Sequence, residues 1–302
     1  MSKRSQLQSR GPAKPDQVQR STSGEPVARS PAGTFLGVAN GVARWLGIPY
    51  ARPPIGELRW RPPVALEETE AKVLADRFGP SCVQTELHSQ ACPIYREHFA
   101  LQDENCLTLN IWAPADATDA AVLVWIHGGA LHYGGSASPM LDGKRLAAEG
   151  LVVVTINYRL GVFGFLAHEE LSAESPDGVS GNYGLLDQVA ALKWVKRNIA
   201  GFGGNPDNVT VAGQSAGALS IMCLMGAPDA RPLFHKAILQ SPYMISLPSL
   251  SCERHGHPSA ESAGGQFARR IGASSAAELR SLPAHELVRQ AAGAGFLPLA
   301  DG

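Results

Sequence analysis

The order of apolar and polar positions divides the chain into three stretches. The first thirty or so residues are rich in Ser, Pro, Gln and charge and show no period, a composition that buries too little to order itself. Residues 1–32 are therefore expected to form a disordered tail, and 33–302 a folded domain. Thr34 to Val38 and Val42 to Leu46 are short strand-like runs around an Asn40-Gly41 turn, a strong hairpin signal. Beyond a Pro-rich irregular segment the pattern changes. Ala121 to Ile126 and Leu151 to Ile156 are continuous apolar runs of strand length, as expected of strands covered on both faces. Leu185, Val189, Leu192, Val195 and Ile199 mark one face of a helix between Tyr183 and Ala200, ended by a Gly-rich turn. Val209 to Ala212 and Ala237 to Gln240 supply further strands, with a helix between them, and Pro283 divides a late amphipathic stretch. Strands alternating with crossover helices predict an α/β fold with a central, mostly parallel sheet.

Composition narrows the function. With 26 basic residues against 27 acidic ones there is no global field to recruit nucleic acid or an anionic membrane. No run approaches the roughly 20 apolar residues of a membrane helix. The basic N-terminus is not followed by an apolar core, so a cytoplasmic location is expected. The five cysteines form no CxxC pair and no Cys/His cluster at zinc spacing, so no metal site is expected.

The sharpest local signal is Gly213-Gln214-Ser215-Ala216-Gly217, a G-x-S-x-G sequence between an apolar strand and the helix-like run ALSIMCLM. A serine on such a turn is lifted clear of the sheet, and the Ala216 amide at the helix start can face a developing oxyanion. Alone, the same five residues also suit a structural turn. A second glycine-rich turn, His127-Gly128-Gly129-Ala130, follows a central strand, where free amides of Gly129 and Ala130 could act as further oxyanion donors. Phosphate binding is the rival for that turn, but it lacks both the Gly-Lys-Ser/Thr end of a Walker loop and the GxGxxG of a dinucleotide loop.

These motifs and their surroundings resemble type-B carboxylesterases, the group of the bacterial para-nitrobenzyl esterases and the cholinesterases. The resemblance rests on GIPYARPP, ENCLTLNIWAP, HGGA, TINYRLGVFGFL, the long run from Gly181 through Gly217, and ILQS, in that order. It implies an α/β-hydrolase fold and a serine hydrolase acting on small, uncharged esters through an acyl-enzyme, with no cofactor. Ser215 would be the nucleophile and Gly129, Ala130 and Ala216 the oxyanion donors. In the family the triad acid and histidine come later than any segment recognisable here; FLPLADG resembles the stretch shortly before the acid strand. The resemblance therefore implies a C-terminally truncated domain whose acid and histidine lie beyond Gly302, with a sheet edge left open to self-association. The alternative reading is a catalytically incompetent relative. Glu253, Glu261, Glu278, Glu286, His235, His255, His257 and His285 follow the nucleophile outside any family-like acid or base loop and are expected to have ordinary surface roles. His127 is expected to support its turn. Asn157, Arg159, Asn182 and Asp187 are expected to bridge buried backbone or pair charges beneath the site. Gln214 stands where many members have Glu, and Pro242-Tyr243 where Gly is usual. Cys82 and Cys106 correspond to the pair that closes the first disulfide loop in secreted members; without a secretory signal, reduced thiols are expected.

Overall fold

A computed structural model describes residues 19–20, 24–85, 99, 101–243, 245–254 and 256–300. Four strands, β1 (Gln19–Arg20), β2 (Pro26–Ser30), β3 (Gly33–Leu36) and, later, β6 (Lys72–Leu74), form a small sheet in the order β1-β2-β3-β6. The main sheet contains β4 (Val38–Ala39), β5 (Ala43–Pro49), β7 (Thr108–Ala113), β8 (Ala120–Ile126), β9 (Val152–Ile156), β10 (Gly204–Gln214) and β11 (Lys236–Gln240), ordered β11-β10-β8-β9-β7-β5-β4. The pairings among β11, β10, β8 and β9 are parallel; those from β9 through β7 and β5 to β4 are antiparallel. The helices are α1 (Lys144–Ala148), α2 (Gly161–Phe165), α3 (Glu169–Ala173), α4 (Tyr183–Asn198), α5 (Ala216–Gly226), α6 (Ala260–Arg270), α7 (Ala276–Ser281) and α8 (Ala284–Gln290).

Both expected apolar runs become strands: β9 is buried throughout, whereas β8 is buried at Val122, Val124 and Ile126 and half-buried at Leu123 and Trp125, so only one of its faces is fully covered. The chain passes from β8 through α1 to β9 on one side of β8. It then returns through α4 to β10 on the other side, so β8 and β10 flank the point where the strand order reverses. In open α/β sheets the crevice at the carboxyl ends of such strands is where ligands bind.

Two expectations about the N-terminal region need correction, for one reason. The segment Pro26–Ser30, assigned above to the disordered tail, is a strand with Val27 and Ala28 buried. Its Pro, Arg and Ser content hides the strand. Order there comes from tertiary partners: β2 pairs antiparallel with β3, and the Ala32 amide donates to Asn198 Oδ1 at the end of α4 (3.0 Å). The Thr34–Val38 run is consequently split between sheets. Thr34 to Leu36 pairs with β2 and β6, and only Val38 and Ala39 form the hairpin with β5 around Asn40-Gly41. Pro283 does divide the late helical stretch, standing just before α8. The six strand-like runs read from the sequence also lacked β7, whose Thr108 and Asn110 interrupt its apolar pattern.

Cys82 and Cys106, expected as reduced thiols, are joined as a disulfide with Cα atoms 5.0 Å apart, and both are buried. The two segments are already held side by side: the Ser81 amide donates to the Leu101 carbonyl and the Asp103 amide to the Ser81 carbonyl, each at 3.0 Å. Among the described residues no helix is long and apolar enough to cross a membrane, and no group of three or more His, Cys, Asp or Glu could hold a metal ion.

Candidate active site

β8 and β10 lie in register, with Gly213 beside Ile126, so the glycine turn leaving β8 and the serine turn leaving β10 emerge side by side. On the far side of β10, Gln214 pairs with Gln240 of β11, and the Ser215 amide donates to the Gln240 carbonyl (2.9 Å). That bond fixes Ser215 between strand and helix at φ 55° and ψ −119°, a region strongly disfavoured for a residue with a side chain. A serine at this position, immediately before a helix, commonly caps the first turn with its hydroxyl. Ser215 does not: no side-chain cap bond forms to α5, and among the described residues no partner hydrogen-bonds its Oγ. The strained backbone points the hydroxyl elsewhere, which a purely structural turn does not require.

The glycine turn approaches closely. A Cβ built at Gly128 would stand 3.4 Å from Ser215 Cβ and 2.7 Å from the Gln214 carbonyl oxygen. Gly129, Ala130 and Leu131 then adopt positive φ in succession, 107°, 52° and 66°. The Gly129 carbonyl accepts the amides of His132 and Tyr133 (2.9 and 3.0 Å), folding the turn back on itself. The amides of Gly128, Gly129 and Ala130 are left with no protein acceptor among the described residues, and so is that of Ala216, the first residue of α5. Helix N-termini and such exposed amides favour negative charge.

A cavity of about 710 Å3 opens over this junction. Gly128, Gly129, Gln214, Ser215 and Ser241 line it together with Trp125, Phe99, Tyr133, Met140 and Leu141; none of its described lining residues is Asp, Glu, Lys or Arg. Ala130 and Ala216 are not on its wall, so of the expected donors only Gly129 faces the cavity directly. A larger hollow of about 860 Å3 runs along α4 and α5 past Leu186 and Cys223, and contains none of the expected site residues.

The turn is supported from beneath. His127 is buried and stacks on Tyr158, with ring centroids 4.5 Å apart. Its Nδ1–H donates to the Gly128 carbonyl (2.7 Å), and the Tyr158 hydroxyl donates to the His127 carbonyl (2.9 Å). Burial pushes the imidazole pKa down to about 4, partly offset by the bond to Gly128. His127 is therefore neutral in the folded chain, while in the unfolded chain it titrates near 6.5. Above that pH its protonation does not oppose folding. Between about 6.5 and 4 the unfolded state takes up a proton that the folded state refuses, so stability falls with pH by about 3 kcal/mol in all. Urea unfolding of wild type and His127→Gln at pH 7 and pH 4.5 checks this: the expected loss on acidification is smaller in the variant.

The remaining residues singled out by sequence sit in structural positions. Asp187 accepts Arg159 Nε (2.8 Å), Nη2 (2.7 Å) and the Arg159 amide (3.0 Å), all buried. Asn157 Oδ1 accepts the Ser136 amide (2.8 Å), and its Nδ2 donates to the Pro80 carbonyl (3.0 Å). The Asn182 side chain both accepts from and donates to the Leu299 backbone. His235 Nδ1 accepts the Val209 amide (3.1 Å), well back along β10 from Ser215. Glu261 accepts the Ser172 hydroxyl, Glu278 the Ser274 amide, and Glu286 pairs with Arg289. His257 joins Arg254 in a backbone bridge and His285 lies on α8; His255 falls outside the described residues. Sequence reasoning placed Gly128 in the glycine turn but named only Gly129 and Ala130 as donors there, although the Gly128 amide equally has no acceptor among the described residues. It also missed Phe99, Tyr133 and Met140, which come from patternless loops.

A strained serine turn thus stands beside backbone amides that have no acceptor among the described residues, and the chain as a whole is similar to known proteins. The model of the carboxylesterase family matches residues 25–298. The chain is 46% identical over 218 residues to fumonisin B1 esterase of Sphingopyxis macrogoltabida, covering 72% of this chain and 39% of that protein. It is 48% identical over 204 residues to para-nitrobenzyl esterase of Bacillus subtilis strain 168, covering 67% and 40%. Among solved structures, a thermophilic PNB esterase superposes with a TM-score of 0.80 at 38% identity, over 91% of this chain and 57% of the other. The chain thus spans about 40% of the length of these curated relatives. With its sheet order, its serine turn at the strand reversal and this match over nearly all its length, the chain belongs to the carboxylesterase family and has the α/β-hydrolase fold.

Proposed function

We propose that this chain carries the nucleophile and oxyanion donors of a carboxylic ester hydrolase acting on small, uncharged esters. The observation that carries the reading is the uncapped, strained Ser215 beside unpaired amides, those of Gly128 and Gly129 on a cavity wall whose described residues include no Asp, Glu, Lys or Arg. Ser215 Oγ attacks the ester carbonyl, and the tetrahedral oxyanion takes hydrogen bonds from Gly129, Ala130 and Ala216. As the carbonyl re-forms, the carbon–alkoxy bond breaks, the serine proton leaves with the alcohol, and water then releases the acid. Among the described residues no imidazole or carboxylate touches Ser215 Oγ, so the proposal assigns proton transfer to a histidine–acid pair outside them. The esterase names of the relatives support the ester bond as the target. β11 has an outer edge on which Ile238 is 47% exposed, which supports association through an added strand.

That no imidazole or carboxylate among the described residues reaches Oγ favours a second reading, a relative that binds without turning over. Release of p-nitrophenolate from p-nitrophenyl acetate separates the two. The proposal expects release to proceed through acetylation of Ser215 and to fall in Ser215→Ala to no more than the roughly 10³–10⁴-fold over buffer that an oxyanion hole and binding sustain without the nucleophile. A rate that Ser215→Ala leaves unchanged removes the proposal.

A further inference from the structure

We propose that Gln84 is a positioning residue for the oxyanion donors, bracing the return leg of the glycine turn against the cross-linked segment at Cys82. The proposal rests on the preceding reading of that turn. The leg from Tyr133 to Gly135 lies outside the sheet ladders, yet both backbone groups of Gly134 are taken by one side chain. The Gly134 amide donates to Gln84 Oε1 (2.7 Å), and Gln84 Nε2 donates to the Gly134 carbonyl (2.8 Å). The second Nε2 hydrogen goes to the Cys82 carbonyl (2.9 Å), and the Gln84 amide itself donates to Gln102 Oε1 (2.9 Å). Every donor of this 9%-exposed carboxamide is thus committed, and it cannot rotate without abandoning buried partners.

Both ends of the brace lead somewhere definite. At one end, Cys82 is bonded to Cys106, and Ser81 is paired with Leu101 and Asp103. At the other, Gly134 presses on the start of the turn: a Cβ added there would fall 2.7 Å from His127 Nδ1 and 2.9 Å from the Gly128 carbonyl oxygen. Gly128 in turn abuts Ser215. The path from the disulfide to the donors is therefore continuous through packed or hydrogen-bonded atoms. Hydrogen-bond donors aid catalysis only when fixed where the oxyanion forms, so a loosened turn raises the barrier to attack more than it weakens ground-state binding.

The test compares the full chain with Gln84→Met, which fills similar space without donors or acceptor, and Gln84→Glu, which keeps the acceptor for the Gly134 amide. Amide hydrogen exchange is read over 126–136, with 152–156 and 209–214 as reference strands, alongside saturation kinetics of Ser215 labelling by a fluorophosphonate. Exchange over 126–136 is expected to accelerate about tenfold or more in Gln84→Met with the reference strands unchanged. The maximal labelling rate is expected to fall about tenfold, within the roughly hundredfold cost of a 1 Å misplacement, at an unchanged half-saturating concentration; Gln84→Glu falls between. Unchanged exchange over 126–136, or acceleration spread equally over the reference strands, overturns the brace. Failure of wild type to label, with exchange responding as expected, removes the nucleophile reading and leaves the brace standing.

Discussion

Replacing Asp187 by alanine is expected to lower the free energy of unfolding by about 3–5 kcal/mol, the range for removing one partner of a buried ion pair. The Asp187 carboxylate is fully enclosed and, among the described residues, is the only side chain that hydrogen-bonds the buried Arg159 guanidinium, of which Nη1 already lacks a hydrogen-bond acceptor. Without it a positive charge stays buried, with the Tyr183 ring 5.3 Å from the guanidinium carbon as its remaining attraction. The damage reaches the site, because Arg159 directly follows the Tyr158 that supports His127. Denaturant unfolding followed by tryptophan fluorescence measures the loss. A change under about 1 kcal/mol, typical of a surface substitution, would show that the pair is not holding α4 to the end of β9.

Gly217→Ala carries the other large effect, this time on geometry. Its Cβ would stand 2.1 Å from the Ile126 carbonyl oxygen and 3.0 Å from that of His127, both main-chain atoms that no rotamer change can move. Ordinary contact requires α5 and β8 to separate by roughly 1 Å, a misplacement that costs about a hundredfold in rate when it falls on reacting groups. Since β8 carries the glycine turn and α5 begins with the Ala216 amide, the separation pulls donors and nucleophile apart. The expected result is a loss of Ser215 labelling of about a hundredfold, with about 1–3 kcal/mol of destabilisation from overpacking. Labelling at the wild-type rate in a folded Gly217→Ala chain would mean that the close approach of α5 to β8 is not needed.

The parallel half of the sheet was legible because β8 and β9 are continuous apolar runs and β10 ends in a Gly-rich turn, signals confined to a few neighbouring residues. Ser215 and the glycine turn were legible for the same reason. β2 was not: it pairs with the adjacent β3, and the turn between them is held by Asn198, far away in sequence. Nor was the role of Gln84, since nothing in its surroundings announces that Gly134, 50 residues on, will take both ends of its carboxamide. The cavity wall was hidden in a like way, assembled from Phe99 before β7 and from Tyr133 and Met140 in the connection between β8 and α1. The disulfide differs again. The pairing of Cys82 with Cys106 was visible by resemblance, whereas the bond itself follows from backbone pairing of their segments.

The central claim is that Ser215 is held as a nucleophile, and peptide mapping by mass spectrometry after exposure to a fluorophosphonate tests it most directly. The account predicts that phosphonylation appears at Ser215 faster than at any other serine and is absent from Ser215→Ala; an unlabelled Ser215 in a demonstrably folded sample, or labelling that survives the substitution, would contradict it.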